Sequence, residues 1–231
     1  HVVRLVVGLH GADDGVDAAD TPGCLPEPPP PPPPRWETGQ GLIATVVVLT
    51  CNRPKYVLLA LRQIAAQDYR PLEVLVVDDG AVSIEPMLRS EYPRLELVDP
   101  EQPVGVSPRT NHSGLVVRLV VLARRASIGE KRTVASRVAQ GEVVLHWDDD
   151  DFFEPRRVSA QVAPIAQGLA DVTALQLSFI AAMPQFEVYA PAPNFESIIL
   201  WSSLAYRASL GRELAFANVS LAEDFDFADR A

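Results

Sequence analysis

The chain has 231 residues, of which 48% are hydrophobic and 22% charged, and its formal net charge is −10. This apolar content is enough for one sizeable core, or for one domain with a short appendage. The acidic balance argues against a nucleic-acid-binding protein, no apolar run of about 18 residues or more predicts a transmembrane segment, and the two cysteines form neither a disulfide framework nor a zinc pattern.

The first 40 residues differ from the rest of the chain. Residues 2–15 predict one strand and a turn, and an unbroken proline run extends from Pro28 to Pro34. Proline fixes φ and removes the backbone donor, so this run predicts an extended polyproline II segment. We interpret residues 1–40 as an N-terminal remnant and a proline-rich linker. A ligand for an aromatic-lined binding module is the alternative.

Strands and helices alternate from residue 41 onward. Residues 42–50, 72–77 and 95–99 predict strands, the first as a continuous β-branched run of the kind that is buried on both faces and the second as another buried strand. Between them the pattern predicts a helix over residues 54–67, with Asn52 as its N-cap and Pro54 in its first turn, and a short helix over residues 84–92.

The second half continues this alternation. After a predicted loop over residues 100–114, residues 115–122 predict a strand, with a helix as the alternative. The remaining predictions are a helix over residues 127–142 ended by Gly141, a strand over 143–147, a helix over 155–169 despite Pro164, strands over 172–180 and 203–207, and a last helix that starts near residue 220. Alternating strands and helices predict an α/β sheet, whose ligands lie beyond the carboxyl ends of its parallel strands.

Four consecutive aspartates, residues 148–151, directly follow a predicted buried strand. Such a row is costly unless cations compensate it, and Mg²⁺ commonly combines one or two carboxylates with substrate phosphates. If the segment is extended, Asp148 and Asp150 face the same way. An exposed acidic turn or a non-catalytic calcium site is the alternative, but the position at a strand end favours a metal–diphosphate site.

Two further motifs carry charged residues at predicted helix starts. Lys131 and Arg132 could neutralise a diphosphate, or they could lie on a solvated helix face. Ser220 and Glu223 have the spacing of a capping box. Asp224 could accept a proton from a hydroxyl nucleophile, although the local pattern alone favours a structural role.

Together these motifs resemble the family-2 glycosyltransferases of the GT-A fold. The resemblance is carried by residues 46–80, 127–155 and 203–231. It implies a GT-A-type, Rossmann-like α/β domain over residues 41–231, with a mixed, mostly parallel sheet flanked by helices. We expect this domain to be truncated at its C-terminus.

The resemblance also implies a function. The expected reaction is a metal-dependent, inverting transfer of a sugar from a nucleotide-diphospho-sugar donor to a hydroxyl of a glycan, protein or lipid acceptor. Asp224 is the expected catalytic base, and Asp148 and Asp150 are the expected ligands of Mn²⁺ or Mg²⁺. The expected donor-binding residues are Thr50, Cys51, Asn52, Arg53, Asp78, Asp79, Lys131, Arg132 and Asp148.

Two positions depart from the pattern of that family, and alternatives remain open. Thr133 stands where many relatives have asparagine, and Cys51 replaces a tyrosine-like residue. A non-catalytic nucleotide-sugar-binding module or a decayed enzyme fragment is the main alternative. A nucleotidyltransferase is disfavoured because no glycine-rich loop follows the first strand. The sequence leaves the location open: it is compatible with the cytoplasm, and with the secretory pathway (Golgi) if the parent protein carries an anchor segment that this sequence lacks.

Overall fold

The computed structural model describes residues 5–8, 41–102, 115–176, 180–182, 187–189 and 199–231. The proline run and most of the loop expected over residues 100–114 lie outside these ranges. Within the described ranges, no helix is both long and apolar enough to cross a membrane.

The described residues form ten strands and six helices. The strands are β1 (Leu5–Gly8), β2 (Ala44–Thr50), β3 (Leu72–Asp78), β4 (Glu96–Val98), β5 (Leu115–Val121), β6 (Val143–Asp148), β7 (Val172–Gln176), β8 (Ile180–Ala182), β9 (Glu187–Tyr189) and β10 (Ile199–Arg207). The helices are α1 (Pro54–Ala65), α2 (Glu85–Glu91), α3 (Ile128–Val138), α4 (Arg157–Ala166), α5 (Ala208–Leu214) and α6 (Glu223–Arg230).

Eight strands form one twisted sheet in the order β1-β7-β10-β6-β2-β3-β5-β4, and β8 pairs with β9 separately. All neighbours in the large sheet are parallel except β10, which runs antiparallel to both β7 and β6. This mixed, mostly parallel sheet with flanking helices confirms the predicted GT-A-type α/β class.

Alternate residues of the central strands supply two separate cores. Val46 and Val48 of β2 pack in a cluster with α1, α2 and α4, whereas Val47 packs in a second cluster with α3, α5 and α6. Because successive side chains of a strand point to opposite faces, a strand covered by helices on both faces needs apolar residues on both. This requirement explains the continuous apolar runs in the sequence.

Three local predictions are settled by the structure. Residues 115–121 form a strand, so the helical alternative is wrong. Asn52 is not the N-cap of α1: it adopts a left-handed φ of 55°, and Arg53 occupies the cap position without a side-chain hydrogen bond. Gly141 does not end α3, which stops at Val138. Glycine is needed at position 141 because a Cβ would lie 2.6 Å from Thr45 Oγ1.

Candidate active site

Three polar motifs meet at the carboxyl edge of the sheet. In the strand register Thr50 lies opposite Asp78, and the adjacent Leu49 lies opposite Asp148. The ends of β2, β3 and β6 are therefore neighbours, although Thr50 and Asp148 are 98 positions apart in sequence. This edge is where open α/β sheets bind their ligands.

The four aspartates form a tight turn and not an extended segment. The amide of Asp151 donates a hydrogen bond to the carbonyl oxygen of Asp148 at 3.1 Å. The alternation expected for an extended segment therefore does not decide which carboxylates face the cleft. The suitability of Asp148 and Asp150 for a metal ion therefore depends on the groups that surround each carboxylate.

Three of the four carboxylates have partners of their own. Asp149 is buried, accepts a hydrogen bond from Thr50 Oγ1 at 3.0 Å and lies 3.0 Å from Arg53 Nη1. Asp150 is exposed and pairs with Arg53 Nη2 at 2.6 Å, and Asp151 accepts from Ser202 Oγ at 3.0 Å. These contacts offset much of the repulsion within the row.

Asp148 has a different environment. Burial raises the pKa of Asp148 to about 6; Arg132 opposes that rise, while Asp151 and Asp150 add to it. A carboxylate in this state is a strong candidate for a cation, because a nearby positive charge offsets the loss of water. The described residues contain no cluster of three or more metal-binding side chains.

The two aspartates after β3 are buried and organise the neighbouring loops. Asp79 accepts hydrogen bonds from Lys131 Nζ at 3.0 Å and from the Ala126 amide at 3.0 Å. Burial alone would raise the pKa of Asp79, but these two donors and Arg125 hold it below its usual value. Asp78 accepts from the Gly80 amide at 2.9 Å, and burial raises its pKa. Both carboxylates therefore support the cleft from within the protein.

The residues after β2 are the exposed members of the expected donor site. Cys51 is half-buried, Asn52 is exposed, and the Arg53 side chain is 40% exposed. The Asn52 side chain accepts a hydrogen bond from the Ala81 amide at 2.9 Å, which joins this loop to the one after β3. Lys131 Nζ donates to the carbonyl oxygen of Thr50 at 3.3 Å, so it supports the same loop from below.

Lys131 and Arg132 do not lie on a solvated helix face, because both are buried. Arg132 Nη1 lies 2.8 Å from Glu223 Oε1 and 3.3 Å from Asp224 Oδ2. The capping box expected for Ser220 and Glu223 is also wrong: the N-cap of α6 is Ala222, which has a left-handed φ of 60°. Glu223 instead forms a buried ion pair between two helices.

Buried residues on other elements also shape the site. His146 is buried, with Nε2 3.2 Å from the Tyr206 hydroxyl, and burial lowers its pKa well below the usual value. Arg157 was not singled out, yet its guanidinium is buried, stacks on Phe153 at 3.6 Å and lowers the pKa of Asp148. No local signal identifies these partners, because they lie on different elements.

Comparison with known proteins identifies relatives of this chain. A family model described as "Glycosyl transferase family 2" matches residues 45–211. A protein of Bacillus subtilis (strain 168), described as "Uncharacterized glycosyltransferase YwdF", is 26% identical over 200 residues, which are 81% of this chain and 67% of that protein.

Solved glycosyltransferase structures have the same fold. Residues 1–349 of S. aureus TarS in complex with UDP-GlcNAc superpose with a TM-score of 0.58 at 24% identity, over 82% of this chain and 53% of that one. The mannosyltransferase PcManGT from Pyrobaculum calidifontis, in complex with GDP-Man and Mn²⁺, superposes with a TM-score of 0.51 at 22% identity, over 82% and 52% of the two chains. The match therefore spans about half the length of these neighbours.

Proposed function

Because the chain belongs to glycosyl transferase family 2, we propose that it moves a sugar from a nucleotide-diphospho-sugar donor to an acceptor hydroxyl, with a divalent cation and with inversion at the anomeric carbon. The observation that carries this proposal is that the ends of β2, β3 and β6 meet at one edge of the sheet, with the half-buried Asp148 at the end of β6. The Arg132 guanidinium lowers the pKa of Asp148, and its Nη1 atom also lies 3.3 Å from Asp224 Oδ2.

The donor nucleoside is proposed to lie against the loop after β2. Cys51, Asn52 and Arg53 present side-chain surface there, whereas the buried Asp78 and Asp79 accept hydrogen bonds from backbone amides of the loops after β3 and β5. Lys131 joins Asp79 to the Thr50 carbonyl oxygen. Similar structures hold UDP-GlcNAc in TarS and GDP-Man in PcManGT, which supports a nucleoside diphosphate as the common part of the ligand.

Asp148 and Asp150 are the proposed protein ligands of Mn²⁺ or Mg²⁺. Their oxygens are the donors that these hard cations prefer, and the burial of Asp148 removes competing water. When bound, the cation supplies positive charge for the departing diphosphate. Arg53 already contacts Asp149 and Asp150, so this chain holds the acidic turn in place without the ion.

Asp224 is the proposed base. As the acceptor oxygen forms its bond to the anomeric carbon, the bond from that carbon to the diphosphate oxygen breaks, and the diphosphate leaves with the electron pair. The hydroxyl proton passes to the Asp224 carboxylate. The ion pair with Arg132 restrains this carboxylate at the start of α6, where its side chain is 16% exposed.

The test is donor hydrolysis or transfer by the wild-type protein and by Asp150→Ala, each with Mn²⁺, with Mg²⁺ and with EDTA. We expect activity that needs the cation and that falls at least about tenfold in Asp150→Ala. Undiminished, cation-independent activity in the variant would contradict the proposed mechanism. Tight binding of UDP or GDP without turnover of any donor would favour a non-catalytic binding module.

A further inference from the structure

We propose that the first two turns of α3 position the base-bearing helix α6, and that Arg132 is a positioning residue for Asp224 and not a ligand of the donor diphosphate. This inference rests on the proposed function, because it takes Asp224 as the base. It assigns to residues 127–133 a role that their charge pattern alone does not indicate.

The N-terminus of α3 is already occupied by this chain. The Gly129 amide donates to the Val219 carbonyl oxygen at 2.9 Å, and the Ile128 amide donates to Ser220 Oγ at 3.2 Å. The Glu130 amide donates to Ser127 Oγ at 3.0 Å. Of the amides that could otherwise bind an anion at this helix N-terminus, two therefore hold the segment before α6, and the third is capped by the Ser127 side chain.

The segment before α6 also lies directly against Gly129 of α3. A Cβ built on Gly129 would lie 1.8 Å from the Ala217 carbonyl oxygen, so any side chain at position 129 would displace this segment. One turn further along, Thr133 Oγ1 accepts a hydrogen bond from the Phe216 amide at 2.9 Å. Thr133, which departs from the asparagine of many relatives, thus contributes to this contact.

Arg132 adds an ion pair to the contact between α3 and α6. Its guanidinium and the Glu223 carboxylate are each 4% exposed, and they lie 2.8 Å apart. The same Nη1 atom lies 3.3 Å from Asp224 Oδ2, so one guanidinium contacts two of the three acidic residues in the first turn of α6. A diphosphate could contact this group only by displacing a buried carboxylate, which would leave that carboxylate without its partner.

The experiment compares the wild-type protein with Arg132→Lys and with the double variant Arg132→Met/Glu223→Gln, which removes one charge of each sign. Arg137→Met is the matched control, because Arg137 is exposed on the same helix. For each protein we measure kcat and KM for a donor with Mn²⁺, the Kd of UDP and of GDP by calorimetry, and the melting temperature.

We expect the double variant to lose about 10²-fold in kcat, because a displaced base costs this much, while KM for the donor and Kd of UDP or GDP stay within about twofold. Arg132→Lys recovers part of kcat, and Arg137→Met is unchanged. A tenfold or greater rise in Kd with kcat nearly unchanged would overturn the proposal and assign Arg132 to the diphosphate. A wild-type protein that binds UDP or GDP but transfers no sugar would overturn the proposed function itself.

Discussion

Asp148 and Asp149 are adjacent in sequence but have different partners. Burial raises the pKa of both carboxylates, and at Asp149 the Arg53 guanidinium and the Thr50 hydroxyl oppose this rise. The side chain of Asp150 is exposed and also pairs with Arg53. A row of identical residues in one turn therefore supplies carboxylates with different surroundings.

The role of Asp224 is tested by Asp224→Asn. The amide keeps the size of the side chain but cannot accept the hydroxyl proton, so we expect kcat to fall by about 10²–10⁴-fold. Steady-state kinetics with a donor and acceptor pair measure this loss. Asp229→Asn, on the exposed part of the same helix, is the control and should leave kcat unchanged. A kcat for Asp224→Asn within a few-fold of the wild type would exclude Asp224 as the base.

Residue types and strand ends could be predicted from the sequence, but residue partners could not. The acidic row after β6 and the aspartates after β3 were found because they follow buried apolar runs. Glu223 was assigned to a capping box, since a local spacing is visible in one stretch of sequence. Its actual partner, Arg132, is 91 positions away, and only the packing of α3 against α6 brings them together.

At the scale of elements, two glycines have different reasons to be glycine. Gly129 has no space for a Cβ, whereas Gly168 has nothing within 4 Å of that position but a φ of +70°. We predict that Gly129→Ala displaces residues 217–220 and lowers kcat by about 10²-fold. Gly168→Ala should lower stability by about 1–2 kcal/mol through backbone strain and leave kcat unchanged.

Kinetics and thermal unfolding of the two glycine variants separate these effects. Equal kcat values for Gly129→Ala and the wild type would show that α6 does not depend on this contact. A loss of kcat in Gly168→Ala comparable to that in Gly129→Ala would show that any destabilisation of the domain lowers activity.

A buried ion pair joins β3 to β5 away from the strand ends that carry the site. Glu73 and Arg118 are each 4% exposed and in direct contact. Glu73 also accepts from the Gln140 amide at 2.8 Å, and Arg118 donates to the Val138 carbonyl oxygen at 2.9 Å. One network thus connects two strands to the end of α3. Its charged members, Glu73 and Arg118, lie within strands whose other residues are mostly apolar.

We predict that Arg118→Met destabilises the protein by about 3–5 kcal/mol, because it leaves the Glu73 carboxylate buried without its partner. Denaturant unfolding measures this change. The double variant Glu73→Gln/Arg118→Met should recover part of the loss. Arg89→Met, which removes an exposed pair with Glu85, is the control and should cost less than about 1 kcal/mol. Equal costs for Arg118→Met and Arg89→Met would contradict the role of burial.

At the scale of the whole molecule, the sheet order explains how distant motifs become one site. Parallel strands place their carboxyl ends at one edge, and β6 lies beside β2 in the sheet although β3, β4 and β5 come between them in sequence. The alternation of strands and helices predicted the α/β class because each central strand needs apolar residues on both faces. It did not predict that β10 runs antiparallel to its neighbours, because the residue pattern of a strand does not state its direction.

The ligand site proposed at the sheet edge leads to a prediction about the stability of the whole protein. A ligand that binds only the folded state stabilises it by mass action, about 2.7 kcal/mol at a hundredfold excess over Kd. For a domain of this size this corresponds to about 5–10 °C in melting temperature. We expect UDP or GDP to give such a shift only when Mn²⁺ or Mg²⁺ is present, because the diphosphate and the Asp148 carboxylate repel each other without a cation between them.

Thermal unfolding with each nucleotide, with and without EDTA, measures this dependence. Asp150→Ala should reduce the cation-dependent part of the shift, and Glu154→Gln, an exposed acidic residue just beyond the turn, should not. A nucleotide shift of equal size in EDTA would show that the diphosphate binds away from the acidic turn. In that case the negative charges of residues 148–151 would be compensated by protein groups such as Arg53 and Ser202, and not by a cation shared with the diphosphate.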